Sequence, residues 1–102
     1  MNMDNRPIGM FDSGVGGLTV YKEIRKKFSN ENIVYLGDTK SFPYGSKSKE
    51  SIINLTKSGI DFLISKNVKA VVIACGTATS QALDTVKELY DIPIIGIIEP
   101  TA

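Results

Sequence analysis

An α/β architecture is predicted: a four-stranded parallel sheet in the order β-α-β-α-β-α-β, with helices on both faces. Three observations predict it. Four short apolar segments alternate with three amphipathic ones along the 102 residues. The third apolar segment centres on Val71-Val72-Ile73, a β-branched run of the kind found in strands buried on both faces. Each apolar segment closes on polar residues, as expected where strands alternate with helices and the crossovers are right-handed.

The first strand is Pro7-Ile8-Gly9-Met10-Phe11, ending in Asp12-Ser13-Gly14. Leu18, Tyr21, Ile24 and Phe28 then recur at three- and four-residue spacings, with Lys22, Arg25 and Lys26 on the other side. That period predicts a helix burying all four apolar residues. Asn32-Ile33-Val34-Tyr35-Leu36 is the second strand, closed by Gly37-Asp38-Thr39. A loop from Lys40 to Ser46 contains Pro43-Tyr44-Gly45, residues suited to a turn. Ser46 or Ser48 caps the second helix, with Ile52, Ile53, Ile60 and Leu63 on its apolar face. Lys69 to Ala74 is the third strand. After Cys75-Gly76-Thr77, a third helix is marked by Ala82, Leu83, Val86, Leu89 and Tyr90 and stopped by Asp91-Ile92-Pro93. Ile94 to Ile98 is the fourth strand, before Glu99-Pro100.

Composition narrows the function classes. Twelve Lys and Arg oppose 11 Asp and Glu, a formal net charge of +1, which disfavours general binding to nucleic acid or to an anionic membrane. No apolar run approaches the roughly 20 residues of a membrane helix, and the start lacks a secretory signal. The lone cysteine, Cys75, precludes an internal disulfide and fits a reducing cytoplasm. There is no histidine, so these residues hold neither a Ser-His-Asp set nor a typical zinc site; no metal and no cofactor are expected. One domain, 1–102, is the expectation for this length. Three helices cover only part of a four-stranded sheet, so the chain reads as half of a larger protein or as a partner-seeking module, a homodimer included.

Ligand sites of open parallel sheets lie beyond the carboxyl ends of the strands. Here those ends carry Asp12-Ser13, Asp38-Thr39, Cys75 with Thr77, and Glu99 with Thr101. Asp38 and Glu99 read as turn and cap residues. Asp12 and Cys75 would put a carboxylate and a thiol on one edge. Cys75 precedes a helix, where free N–H groups and the helix dipole stabilise a thiolate; a small, buried, inert cysteine is the alternative. Gly14-Val15-Gly16-Gly17 is not a dinucleotide fingerprint, because Thr19 stands where the last glycine would fall, and no Gly-Lys-Ser/Thr makes a P-loop. The glycines leave N–H groups open at a helix N-terminus, suited to a carboxylate or a phosphate. An aspartyl phospho-acceptor domain is discarded, since Cys75 occupies the acceptor's strand end.

Three separated motifs then resemble bacterial glutamate racemases: Ile8 to Thr19 (IGMFDSGVGGLT), Leu36-Gly37-Asp38-Thr39 followed by Pro43-Tyr44-Gly45, and Ala74-Cys75-Gly76-Thr77-Ala78-Thr79, with Ile98-Glu99-Pro100 continuing the likeness. The resemblance runs from Ile8 to Pro100. It implies one lobe, the N-terminal one, of a two-lobed racemase fold. It also implies cofactor-independent interconversion of L- and D-glutamate, supplying D-glutamate for peptidoglycan. Two acid/base groups on opposite faces of the α-carbon do this chemistry. By the resemblance, Cys75 is one of them, and Asp12 beside it manages its proton or the substrate ammonium. Ser13, Pro43, Tyr44, Gly45, Gly76 and Thr77 line the glutamate pocket, partly through backbone groups. Aspartate-specific relatives share the plan; the opening motif and Thr77-Ala78-Thr79 favour glutamate. Two departures stand out. Gly76 replaces the family's usual Asn. The second catalytic cysteine and its neighbouring histidine belong to the other lobe, so these residues alone should racemise poorly. A homodimer with Cys75 from each chain, and a non-catalytic module binding a small carboxylate or a protein, are the competing readings.

Overall fold

The computed structural model describes residues 5–13, 17–41 and 44–97, with side chains omitted at 17–19. Four strands, β1 (Ile8–Asp12), β2 (Ile33–Gly37), β3 (Ala70–Ile73) and β4 (Ile94–Gly96), form one parallel sheet in the order β2-β1-β3-β4. Three helices connect them: α1 (Gly17–Lys27), α2 (Lys49–Ser65) and α3 (Gly76–Val86). Short 3-10 turns at Thr39–Ser41 and Tyr44–Ser46 fill the loop before α2. The fold class expected from the sequence is the one observed. No described helix is long and apolar enough to cross a membrane.

Register sorts the side chains between the two faces. Phe11 pairs with Leu36 on one side and Ile73 on the other, so these residues share a face. On that face lie α2 and α3, which pack against each other and bury Ile52, Ile60, Leu63, Ala78, Ala82 and Val86. The opposite face carries Met10, Tyr35 and Val72, with α1 reaching it through Tyr21, whose ring meets Tyr35 edge-on at 5.7 Å. Val71, Val72 and Ile73 are all buried, as a central β-branched strand requires.

Ends of elements follow local chemistry. Ser48, rather than Ser46, caps α2: its side chain accepts from Ser51 N–H at 3.1 Å. Asn67, at φ 63°, takes the left-handed conformation just past that helix, a position suited to Asn. The basic last turn of α1, Arg25 to Lys27, faces the negative end of its dipole.

Four expectations need correction. Phe28 is 50% exposed, because α1 ends at Lys27 and the chain turns before the period can carry Phe28 to the sheet. α3 stops at Val86, so Leu89 is 54% exposed, while Tyr90 still reaches back to α2 from the following turn. β1 runs one residue further than expected and includes Asp12. β4 ends at Gly96, although Ile97 N–H still bonds the Ile73 carbonyl at 3.2 Å. Leu18, Ile98, Glu99 and Thr101 lie outside the described side chains.

Close approach of α2 to β1 depends on Gly59. A Cβ there would stand 2.4 Å from Phe11 Cδ1 and Cε1, inside a core that leaves the ring no room to retreat. Helix propensity alone makes Gly59→Ala stabilising by about 1 kcal/mol. Overpacking of about 1–3 kcal/mol should outweigh that gain, so urea melts are expected to find the variant less stable.

The contact between α2 and the segment after α3 carries a pH signature. Tyr90 donates its hydroxyl to Asp61 Oδ1 at 2.8 Å. Burial, then that bond and the Asp61 charge, push its pKa up to about 12. An unfolded tyrosine titrates near 10, so this stabilisation is complete below about pH 10 and is lost as pH rises toward the folded value. Urea melts at about pH 9 and about pH 11 should show a smaller alkaline loss in Tyr90→Phe than in wild type.

Candidate functional site

The strand order reverses between β1 and β3, and a crevice at such a switch point is where open α/β sheets bind ligands. The carboxyl ends of these two strands carry Asp12-Ser13 and Cys75. Ala74 N–H bonds the Phe11 carbonyl at 2.7 Å, extending the ladder by one step and bringing Ser13 level with Cys75. The Cys75 thiol donates to Ser13 Oγ at 3.1 Å, and both residues are buried.

Cys75 is also the N-cap of α3. Its backbone is extended, at φ −122° and ψ 121°, and its sulfur accepts from Ala78 N–H at 3.4 Å. A thiol in this position faces the N–H groups that the first turn of a helix leaves open, so the environment can carry a negative charge on sulfur. Gly76 and Thr77 follow as the first two residues of α3, both half-buried beside the thiol.

Asp12 is 2% exposed. Its Oδ2 accepts a 2.6 Å hydrogen bond from the Tyr35 hydroxyl, whereas Oδ1 is buried with no partner among the described residues. Buried polar atoms are nearly always paired, so an orphaned carboxylate oxygen marks a place where a donor is wanted. Tyr35 was not singled out from the sequence as a site residue. The available signal was a hydroxyl-bearing aromatic in an otherwise apolar strand, since such a hydroxyl needs a partner once the ring packs.

Tyr44 and Asp38 form the support behind this edge. The Tyr44 hydroxyl donates to Asp38 Oδ2 at 2.6 Å, and Ser41 N–H donates to Asp38 Oδ1 at 3.3 Å, so Asp38 serves the turn, as expected. The Tyr44 ring is buried against Phe11, with centroids 6.3 Å apart. Its side chain is therefore core, and any pocket role falls to the backbone of its turn. Burial first, and the Asp38 carboxylate second, hold the phenol well above the ordinary tyrosine range; the charges of Cys75 and Asp12 act in the same direction. Gly45 is exposed in the same turn, which lies against α3. Pro43 lies outside the described residues. Asp12, Ser13, Cys75, Gly76 and Thr77 thus share one edge, backed by the Tyr44–Gly45 turn.

A separate cleft of about 430 Å³ opens between α2 and the end of β2, lined by Phe11, Leu36, Asp38, Lys40, Leu55 and Phe62 among others. None of Asp12, Ser13 or Cys75 lines it, and the Asp38 carboxylate is already engaged. Its lining is mainly apolar.

No family model matches the chain. Among curated proteins, the glutamate racemase of Lactococcus lactis subsp. cremoris (strain MG1363) is 59% identical over 100 residues, which are 98% of this chain and 37% of that protein. The glutamate racemase of Hydrogenobaculum sp. (strain Y04AAS1) is 54% identical over 92 residues, 90% of this chain and 36% of that one. Among solved structures, glutamate racemase from Thermus thermophilus, in complex with β-chloro-D-alanine, superposes with a TM-score of 0.89 at 44% identity over 94% of this chain and 38% of its own. The Francisella tularensis enzyme, in complex with D-glutamate, gives 0.85 at 46% identity over 92% and 36%. The chain thus spans little more than a third of the length of the proteins it matches. By sequence and by fold the chain is similar to glutamate racemases over the stretch that forms their N-terminal lobe.

Proposed function

We propose that this chain builds one half of a glutamate racemase active site, with Cys75 as the acid/base group on one face of the substrate α-carbon. The single observation that carries the reading is the buried Cys75–Ser13–Asp12 edge at the switch point, in a chain 59% identical to a glutamate racemase. The Cys75 thiolate takes the α-proton, forming S–H as C–H breaks, and the electron pair remains on the α-carbon, delocalised into the substrate carboxylate. An acid on the opposite face then gives a proton to complete inversion, and the reverse reaction exchanges the roles. No cofactor takes part in this scheme. Ser13 Oγ and the Ala78 N–H hold the sulfur in place. Asp12 Oδ1, without a partner among the described residues, accepts from the substrate ammonium, and the backbones of Gly76, Thr77 and the Tyr44–Gly45 turn line the pocket.

The opposite acid/base group must come from elsewhere, because the sequence has one cysteine and no histidine. In this reading it belongs to the second lobe, in the part of a racemase beyond the stretch matched here. Gly76 in place of Asn removes an amide from the pocket wall but keeps the backbone N–H beside the thiol. A cytoplasmic setting, where a free thiol persists, suits this chemistry.

The test is exchange of the α-hydrogen of L- and of D-glutamate in deuterium oxide, run beside glutamate protection of Cys75 against iodoacetamide. Exchange from one enantiomer only is expected, falling by about 10²–10⁴-fold in Cys75→Ser. Exchange from both enantiomers would instead place a second copy's Cys75 across the substrate. Absence of exchange from either enantiomer, together with absence of protection, would sink the reading in favour of a module that does not act on glutamate.

A further inference from the structure

We propose that Tyr35 is a positioning residue: its hydroxyl fixes one oxygen of Asp12 so that the other, which has no partner among the described residues, is presented to a ligand's donor. The inference rests on the reading above for the identity of that ligand, the glutamate ammonium, though not for the clamp itself.

Three observations converge on it. The Tyr35 hydroxyl lies 2.6 Å from Asp12 Oδ2, a short bond to a carboxylate that is 2% exposed. Oδ1 of the same carboxylate has no partner among the described residues, although it is buried. A buried carboxylate free to rotate would bring both oxygens to the best donors in turn; one strong bond to a phenol selects a single rotamer. The third observation is the path that the ring takes. Tyr35 pairs with Met10 and Gly37 pairs with Asp12, so the ring crosses Gly37 to reach its acceptor one step along the sheet. A Cβ at Gly37 would stand 3.3 Å from Tyr35 Cε1, and the glycine leaves that track open.

The ring is held from the other side. Tyr21 on α1 meets it edge-on at 5.7 Å and an interplanar angle of 87°. The phenol is 39% exposed as a residue, yet its tip is engaged inside the sheet edge. Desolvation of that tip, and then the bond and charge of Asp12, raise its pKa above the ordinary tyrosine range. Asp12 on β1 and Tyr21 on α1 are the titratable groups facing it in the described contacts.

The experiment uses the 102-residue chain with ring-¹³C tyrosine, as wild type, Asp12→Asn and Tyr35→Phe. In wild type the Tyr35 resonance should stay unionised past about pH 10, where free tyrosine titrates. Asp12→Asn should lower its ionisation by about one pH unit or more. Identical Tyr35 titration in those two proteins overturns the clamp, whatever the chain binds. Tyr35→Phe keeps the ring against Tyr21 and removes only the hydroxyl. With an unchanged amide spectrum, it should need about tenfold more glutamate to protect Cys75 from iodoacetamide. Unchanged protection overturns the positioning role. Wild type neither protected by glutamate nor exchanging its α-hydrogen would refute the racemase reading alone, and the Tyr35 titration would still decide the clamp.

Discussion

The parallel register of β1 on β3 is the constraint on which the site depends. Phe11 opposite Ile73 fixes which residues follow at the carboxyl ends, and the Ala74-to-Phe11 bond carries that pairing past the last regular pair. A slip of one residue would exchange the faces of all five β1 residues, burying Met10 against α2 and turning Phe11 away. It would also separate Ser13 from Cys75, whose 3.1 Å contact exists only in this alignment. The register is held by the core itself: Phe11 fits the space that Gly59 leaves in α2, and no other β1 side chain shares its size and face. Packing on one face thus sets the chemistry at the strand ends.

Asp12 is a carboxylate held in a buried position. A carboxylate almost removed from water is costly unless every lone-pair direction finds a donor. Tyr35 supplies one to Oδ2, and Oδ1 lacks any among the described residues. Asp38, by contrast, is a nearby carboxylate with a donor on each oxygen, from Ser41 N–H and the Tyr44 hydroxyl. The two aspartates sit at the ends of adjacent strands and differ in this respect and in burial, Asp12 being buried and Asp38 half-buried. Local structure gives Asp38 a donor on each oxygen, which explains a turn role. Among the described residues Asp12 has a donor on one oxygen only.

The sheet is unequally covered. α2 and α3 share one face, while α1 meets the other near β1 and β2. On that second face Ile95 of β4 remains 53% exposed. Parallel sheets are ordinarily buried on both sides, so this face is less covered than usual by the described residues. That agrees with a chain that spans about 37% of its relatives' length.

What was legible in the sequence divides along physical lines. Strand positions were readable because Val71-Val72-Ile73 and its neighbours state burial directly, and Cys75 was placed at a helix start because a strand pattern gave way there to a helical one. The ends of helices were less so: Phe28 and Leu89 continue the apolar period, yet the backbone turns before they can use it, and periodicity carries no information about where hydrogen bonding stops. Tyr44 was legible as a site residue only through its motif, and its side chain proves to be core. Tyr35 was missed for a different reason. Its role depends on a diagonal neighbour in another strand, through a register that becomes known only once β1 and β2 are paired. Sequence alone reports that a phenol stands among apolar residues; the sheet decides which carboxylate it finds, and hence which oxygen of Asp12 the phenol engages.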